Sequence, residues 1–354
     1  MHRTRAAAPA RSLGCALALV CVALLLPAAA QEPPPRSAEP ARLAAQSLLL
    51  AIARAGERLV AVGDRGIIVL SDDRGASWQQ ADEVPIQALL TGVCFHDARH
   101  GVAVGHDEVI LTSADAGRTW QRTHYAPEAQ RPLLDVWCGA GGVTIAVGAY
   151  SSYLVSHDGG ASWSTLKFAP AAPPHTASAK PGAAAASAAE EEAVNGGYHL
   201  NRIVGADGAR LYIAGEAGHL YRSDDAGSSW QQLAVPYEGS FFDVLPLASD
   251  GVLALGLRGH LYRSADAGAT WQQIDSGTDA MLDGGARFAP HGVLLVGLSG
   301  ALLVSQDDGR SFTALRAADQ AGFSAVIGTG AEHFVLVGEK GVRSRELGAL
   351  GRAP

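Results

Sequence analysis

An eight-residue pattern, Ser-x-Asp-x-Gly-x-(Ser/Thr)-Trp, recurs along this 354-residue chain and restricts what it can fold into. The copies are centred on Asp73, Asp115, Asp158, Asp225, Asp266 and Asp307. Tryptophan closes the first five, and Phe312 closes the sixth. A second marker runs in phase with the first. A glycine stands fifteen residues before each closing aromatic: Gly63, Gly105, Gly148, Gly215, Gly256 and Gly297. A seventh, Gly338, follows in step without a box. Successive glycines are 41 to 43 residues apart, except for 67 between Gly148 and Gly215.

Each unit holds three short apolar runs before its box and a short segment after it. In the second unit the runs are 89–95, 101–104 and 109–112, and the segment begins at Trp120. Four short strands in about 40–45 residues make a propeller blade. The chain therefore reads as all-β, a seven-bladed β-propeller of four-stranded antiparallel blades. The box is the hairpin between third and fourth strands. Its Asp accepts hydrogen bonds from its own turn, its Gly takes a conformation that a side chain obstructs, and its aromatic ring fills the space between sheets. One carboxylate per turn is too few ligands for calcium, so all six Asp residues read as structural. The seventh unit has runs at 325–327, 333–337 and 342–344 and then no box. Residues 41–46 are expected to supply its missing fourth strand and close the ring.

The rest of the chain adds limits. Arg3, Arg5 and Arg11, the apolar run 13–26 and Ala28-Ala29-Ala30 read as a cleaved signal peptide over 1–30. Val20 before Cys21 argues against a lipoprotein signal. The domain reading is signal peptide 1–30, linker 31–40, propeller 41–348 and tail 349–354. An Ala-, Pro- and Ser-rich flexible insertion, 169–195, joins blades three and four. The formal charge is −8, and it becomes −11 once the three arginines of the leader are removed. No basic stripe accompanies it, which excludes a nucleic-acid binder. No second apolar run reaches membrane-spanning length, so a monomeric, secreted or periplasmic chain is expected. Cys94 and Cys138 remain after cleavage. In the repeat register they are one position out of phase, which predicts opposite strand faces and two buried thiols.

The turns after the marker glycines differ from blade to blade, while the boxes are uniform. A varied polar face on a regular scaffold is where binding residues are expected: Arg65, His106, Tyr150, Glu216, Arg258 and Lys340. No cofactor or metal site is expected. His96 and His100 flank a strand-to-strand turn and read as surface histidines. His219 and His260 recur in duplicated Gly-His-Leu-Tyr-Arg-Ser segments.

The stretches VGDRGIIVLSDDRGASW from Val62 and AGEAGHLYRSDDAGSSW from Ala214 resemble the photosystem II stability/assembly factor family, built on the Asp-box or bacterial neuraminidase repeat. The resemblance covers about residues 41–345. It implies a lumenal or periplasmic assembly factor that binds a membrane-protein partner through a basic patch, here matched by Arg65, Arg258 and Lys340. The acidic charge of the chain, and Asp64, Glu216 and Glu339 beside that patch, depart from the pattern. A role in an envelope membrane complex follows. The alternatives are a sialidase-like glycoside hydrolase and a propeller that binds a small glycan in its central channel. Inner-strand candidates for such chemistry are Asp135, Arg202, Asp243, Asp283 and Arg287. The Arg-Ile-Pro motif of sialidases and their six blades are both missing.

Overall fold

Seven antiparallel sheets follow one another along the chain in the computed structural model, which describes residues 36–173 and 197–350, together with His2. The expected signal peptide, positions 174–195 of the expected insertion and the last four residues of the tail lie outside the described residues. Six sheets have four strands and the seventh has three. The inner strands are Leu49–Ala55, Leu90–Phe95, Leu133–Cys138, Leu200–Gly205, Phe241–Pro246, Leu282–Phe288 and Phe323–Gly328. They pack on one another in order, and the first also packs on the seventh, which closes a seven-bladed β-propeller. Among the described residues no helix is long and apolar enough to cross a membrane.

Every inner strand carries the same bulge. Its first residue pairs with the marker glycine, the next is skipped, and pairing resumes one residue later: Leu133↔Gly148 then Asp135↔Val147, and Leu282↔Gly297 then Gly284↔Val296. This gives the marker glycines their reason. A Cβ on Gly297 would fall on the carbonyl oxygen of Met281, and one on Gly148 on that of Pro132. Gly297 is extended, with φ −170°, so the requirement is close backbone approach rather than an unusual torsion.

The box turns close as their residue types require. In the first, Asp73 Oδ1 accepts from the Ser71 hydroxyl and the Ser77 amide, both at 2.8 Å, while Ser71 Oγ accepts from the Gly75 amide at 2.8 Å. The other five repeat this set. Box glycines then dock on the preceding blade. Gly227, at φ +89°, packs against Ile145 and Tyr153 of blade three, and Gly75 of blade one packs against Val335 of blade seven. The Trp230 indole donates to Tyr153 Oη across that same boundary, at 3.0 Å.

The ring closes differently from the expectation of an N-terminal strand. Ala44–Gln46 forms a 3-10 turn beside the third strand of blade seven, Gly341–Glu346, and adds no ladder. With the Gln46 amide donating to the Leu43 carbonyl and the Ser47 amide to the Ala44 carbonyl, this turn has no extended backbone to offer that edge. Closure rests instead on face packing, with Ala44, Leu49, Ile67 and Val69 meeting Ala325 and Val337 in one apolar cluster. Where blade seven lacks a box, Leu350 is buried and joins Leu347 against blade-six residues Leu294, Val296 and Leu302.

The cysteines also overturn the sequence expectation. Cys94 and Cys138 form a disulfide between the inner strands of blades two and three, with Cα atoms 5.6 Å apart. Side chains do alternate along each strand. Neighbouring blades, however, meet front face to back face, so two residues that converge across the boundary must be out of phase.

Candidate functional site

The turns between second and third strands lie on the face opposite the boxes, because the third strand joins the two. Six of the seven place a residue other than glycine in the left-handed region, at Arg65, Asp107, Tyr150, Ala217, Arg258 and Ser299. Such a residue projects its side chain from a tight turn, and for bulky Tyr150 at φ +55° the conformation is strained. Tyr150 nevertheless keeps 38 % exposure. Its ring meets His199 edge-on at 5.0 Å, and Glu216 accepts from the His199 amide at 2.9 Å. Tyr150 and Glu216 thus come together across blades three and four. Arg65 is exposed and pairs with its neighbour Asp64 at 3.0 Å. Lys340 is exposed 3.3 Å from Asp319, and His106 and Arg258 are exposed in separate turns. The six candidate residues therefore share a face without converging on one point.

Sequence reasoning missed part of this face. Leu257 and Leu298 are also 38 % exposed and stand immediately after marker glycines. With Tyr150 they account for three of the five exposed large apolar side chains among the described residues, the others being Leu43 and Leu166. The signal was available: blades one, two, four and seven put Asp64, His106, Glu216 and Glu339 at that position.

The inner-strand candidates do converge. Asp135, Arg202 and Asp243 occupy the residue after the bulge in blades three, four and five. Arg202 Nε lies 3.4 Å from Asp135 and 3.3 Å from Asp243. Asp135 also accepts from the Ile203 amide at 2.9 Å, and Asp243 from the Val244 amide at 2.8 Å. Burial raises the Asp243 carboxyl to about 6 against the pull of Arg202. Asp283, in the blade-six bulge, is raised to about 7 by burial and by Asp243. Two carboxyls thus share one guanidinium at close range with a third nearby. A pocket of about 350 Å³ opens beside Arg202 and Asp243, with Asp207 and Arg287 also in its lining.

These shifts set opposite slopes of stability with pH. A folded-state carboxyl raised above its unfolded value binds more protons than the unfolded chain between about pH 4 and 7, so stability falls as pH rises through that window. The box carboxyls run the other way: hydrogen bonds from the Ser77 and Ser162 hydroxyls hold Asp73 and Asp158 down at about 2. Their contribution is present above about pH 4 and is lost as pH falls toward 2. The melting temperature is therefore expected to rise from pH 8 to pH 5 and to collapse below pH 3. Asp283→Asn should flatten the upper limb alone, and a flat wild-type profile from pH 8 to pH 5 would contradict the assignment.

His96 is more than a surface histidine. Its ring reaches the Gly139 carbonyl at 2.9 Å and Thr144 Oγ1 at 3.0 Å, tying blade two to blade three, whereas His100 is exposed and pairs with Asp97. Among the described residues no group of three or more His, Cys, Asp or Glu side chains is placed to hold a metal.

A repeat of this kind on a seven-bladed ring has known counterparts. Residues 71–194 match the family model of photosynthesis system II assembly factor YCF48. That segment runs from the first box through blades two and three, so the resemblance read from the repeat is shared by a family model. Among solved structures, YCF48 bound to D1 peptide matches at 15 % identity and TM-score 0.64, over 88 % of this chain and 96 % of that one. YCF48 from Cyanidioschyzon merolae matches at 16 % and 0.65, over 88 % and 98 %. The GH74 xyloglucanase from Xanthomonas campestris matches at 17 % and 0.64, over 88 % of this chain and 53 % of that enzyme. At such identities the likeness is one of fold, shared by YCF48 and by an enzyme. No curated protein matches this chain.

Proposed function

We propose that this chain is a non-catalytic propeller, exported to the periplasm, that binds a protein partner through its loop face and assists assembly or function of an envelope membrane complex. The observation that carries the reading is the exposure of Tyr150, Leu257 and Leu298 in turns of one face, interspersed with Arg65, Arg258 and Lys340. Tyrosine and arginine are enriched at protein interfaces and among their energetically dominant residues, and exposed leucines beside them add apolar area to bury. The strained Tyr150 turn supports it, since a smaller residue would serve the turn alone. The YCF48 counterpart bound to D1 peptide supports a peptide-binding use of the same fold. The disulfide supports an oxidising compartment.

The test is capture from envelope extract with the wild-type chain and with a Tyr150→Ala, Leu257→Ser, Leu298→Ser variant. The wild type should retain a partner that the variant loses by at least about tenfold, with equal melting temperatures. Equal recovery by both would remove the loop face from the proposal.

A further inference from the structure

The pocket beside Arg202 lies in the wall of the central channel, between the inner strands of blades four, five and six. Its lining runs from Arg202 to Asp207, from Asp243 to Leu247, and through Gly285 and Arg287. Three blades each contribute their inner strand from the bulge to its end, so it opens on the box side of the ring, away from the loop face. At about 350 Å³ it is the size of a small-molecule site.

Its polar groups come as donor and acceptor pairs. At the inner end Arg202 stands beside Asp243, whose side chain is only 4 % exposed. Arg202 Nε is buried and makes no hydrogen bond, although both carboxylates stand near it, so its N–H lacks an aligned acceptor. Asp243, raised to about 6, has proton-donor and proton-acceptor forms close to neutrality. The side chains of Arg287 and Asp207 are exposed and make no ion pair or hydrogen bond among the described residues. Val204, Leu245 and Leu247 supply apolar wall between the pairs.

Charge and hydrogen bonding decide what fits. A carboxylate ligand would pair with the accessible part of the Arg202 guanidinium, whose side chain is 27 % exposed, but would add a negative charge beside Asp135 and Asp243. An ammonium would meet the carboxylates but would place a second positive charge beside Arg202. A hydroxyl accepts from Arg202 and donates to Asp243 with no change of charge. The pairs stand three to five strand residues apart, on the order of 10 Å, so hydroxyls at opposite ends of a disaccharide would use the inner pair and the outer pair together. We infer that this channel pocket binds a neutral small carbohydrate, with Arg202 and Asp243 at its inner end and Arg287 and Asp207 at its mouth.

Titration calorimetry of the full chain with cellobiose, maltose and diacetylchitobiose tests this. At least one should bind with a dissociation constant of about 1 mM or tighter. The exposed-rim variants Arg287→Gln and Asp207→Asn should each weaken it about tenfold while leaving the melting temperature unchanged. Asp243→Asn keeps the side-chain size and should abolish the signal. Glucuronate and spermidine serve as anionic and cationic controls. Absence of binding by all three sugars, binding that both rim variants leave intact, or binding of a charged control in their place would each overturn the proposal. None of these outcomes depends on partner capture by the loop face.

Discussion

Gly297→Ala is expected to leave little or no folded propeller, a loss of at least about 4 kcal/mol. The added methyl would fall on the Met281 carbonyl oxygen, and that oxygen is held in place by the Leu298 amide at 3.0 Å. Backbone meets backbone, so no rotamer change relieves the overlap. The bulge that creates the contact is also the element that presents the inner-strand side chains to the channel. A graded series makes the argument specific. Gly256 occupies the same place in blade five, but its Cβ would stand 3.1 Å from the Ser240 carbonyl oxygen, so Gly256→Ala should be clearly milder. Gly348 has open space around it, and Gly348→Ala should change stability by no more than about 0.5 kcal/mol. Denaturant melts of the three variants would decide. Similar small losses in Gly297→Ala and Gly256→Ala would show that the bulge yields and that the marker glycines have another cause.

Removing the disulfide is the second large effect. Cys94 and Cys138 close a loop of sequence separation 44. Loop-closure entropy then assigns the bond about 4 kcal/mol of stability. The paired Cys94→Ala, Cys138→Ala variant should melt about 10 °C below the oxidised wild type, given the size of the propeller. Reductant should bring the wild type down to the level of the variant and leave the variant unmoved. Alkylation of Cys94 or Cys138 in the unreduced, denatured wild type, located by peptide mapping, would show that the bond does not form. The bond joins inner strands of two blades that otherwise meet through side chains, so its loss is expected to loosen that boundary first. Faster amide exchange in 90–95 and 133–138 than in 282–288 would report it.

The repeat carried most of the architecture. The six boxes place the turns between third and fourth strands and the seven glycines those between second and third strands, because each box must bond its own backbone and dock on the blade before it, a local rule written in local residues. The apolar runs between them gave the strands. Three features needed the folded ring. The sequence showed that the glycines recur but not why, since the bulge that brings the Met281 carbonyl onto Gly297 joins residues from two strands. It showed the phase of Cys94 and Cys138 and implied the wrong geometry, because phase within a strand says nothing about which faces two blades present to each other. It also led to the expectation that residues 41–46 complete the seventh blade as a strand, whereas the turn at Ala44–Gln46 and the packing of Leu347 and Leu350 arise from contacts across the ring closure.

The candidate sites divide along the same line. Tyr150 and the charged turn residues were legible from their place after the marker glycines, and Leu257 and Leu298 stood at the neighbouring position. Arg202, Asp135 and Asp243 were visible only as separate inner-strand charges, 41 to 67 residues apart. The sequence by itself determined a seven-bladed ring with uniform box turns on one face and varied turns on the other, because those depend on hydrogen bonds and torsions inside single turns. The tertiary structure alone decided the disulfide, the ring closure and the charged pocket, because each depends on which surfaces of neighbouring blades face one another.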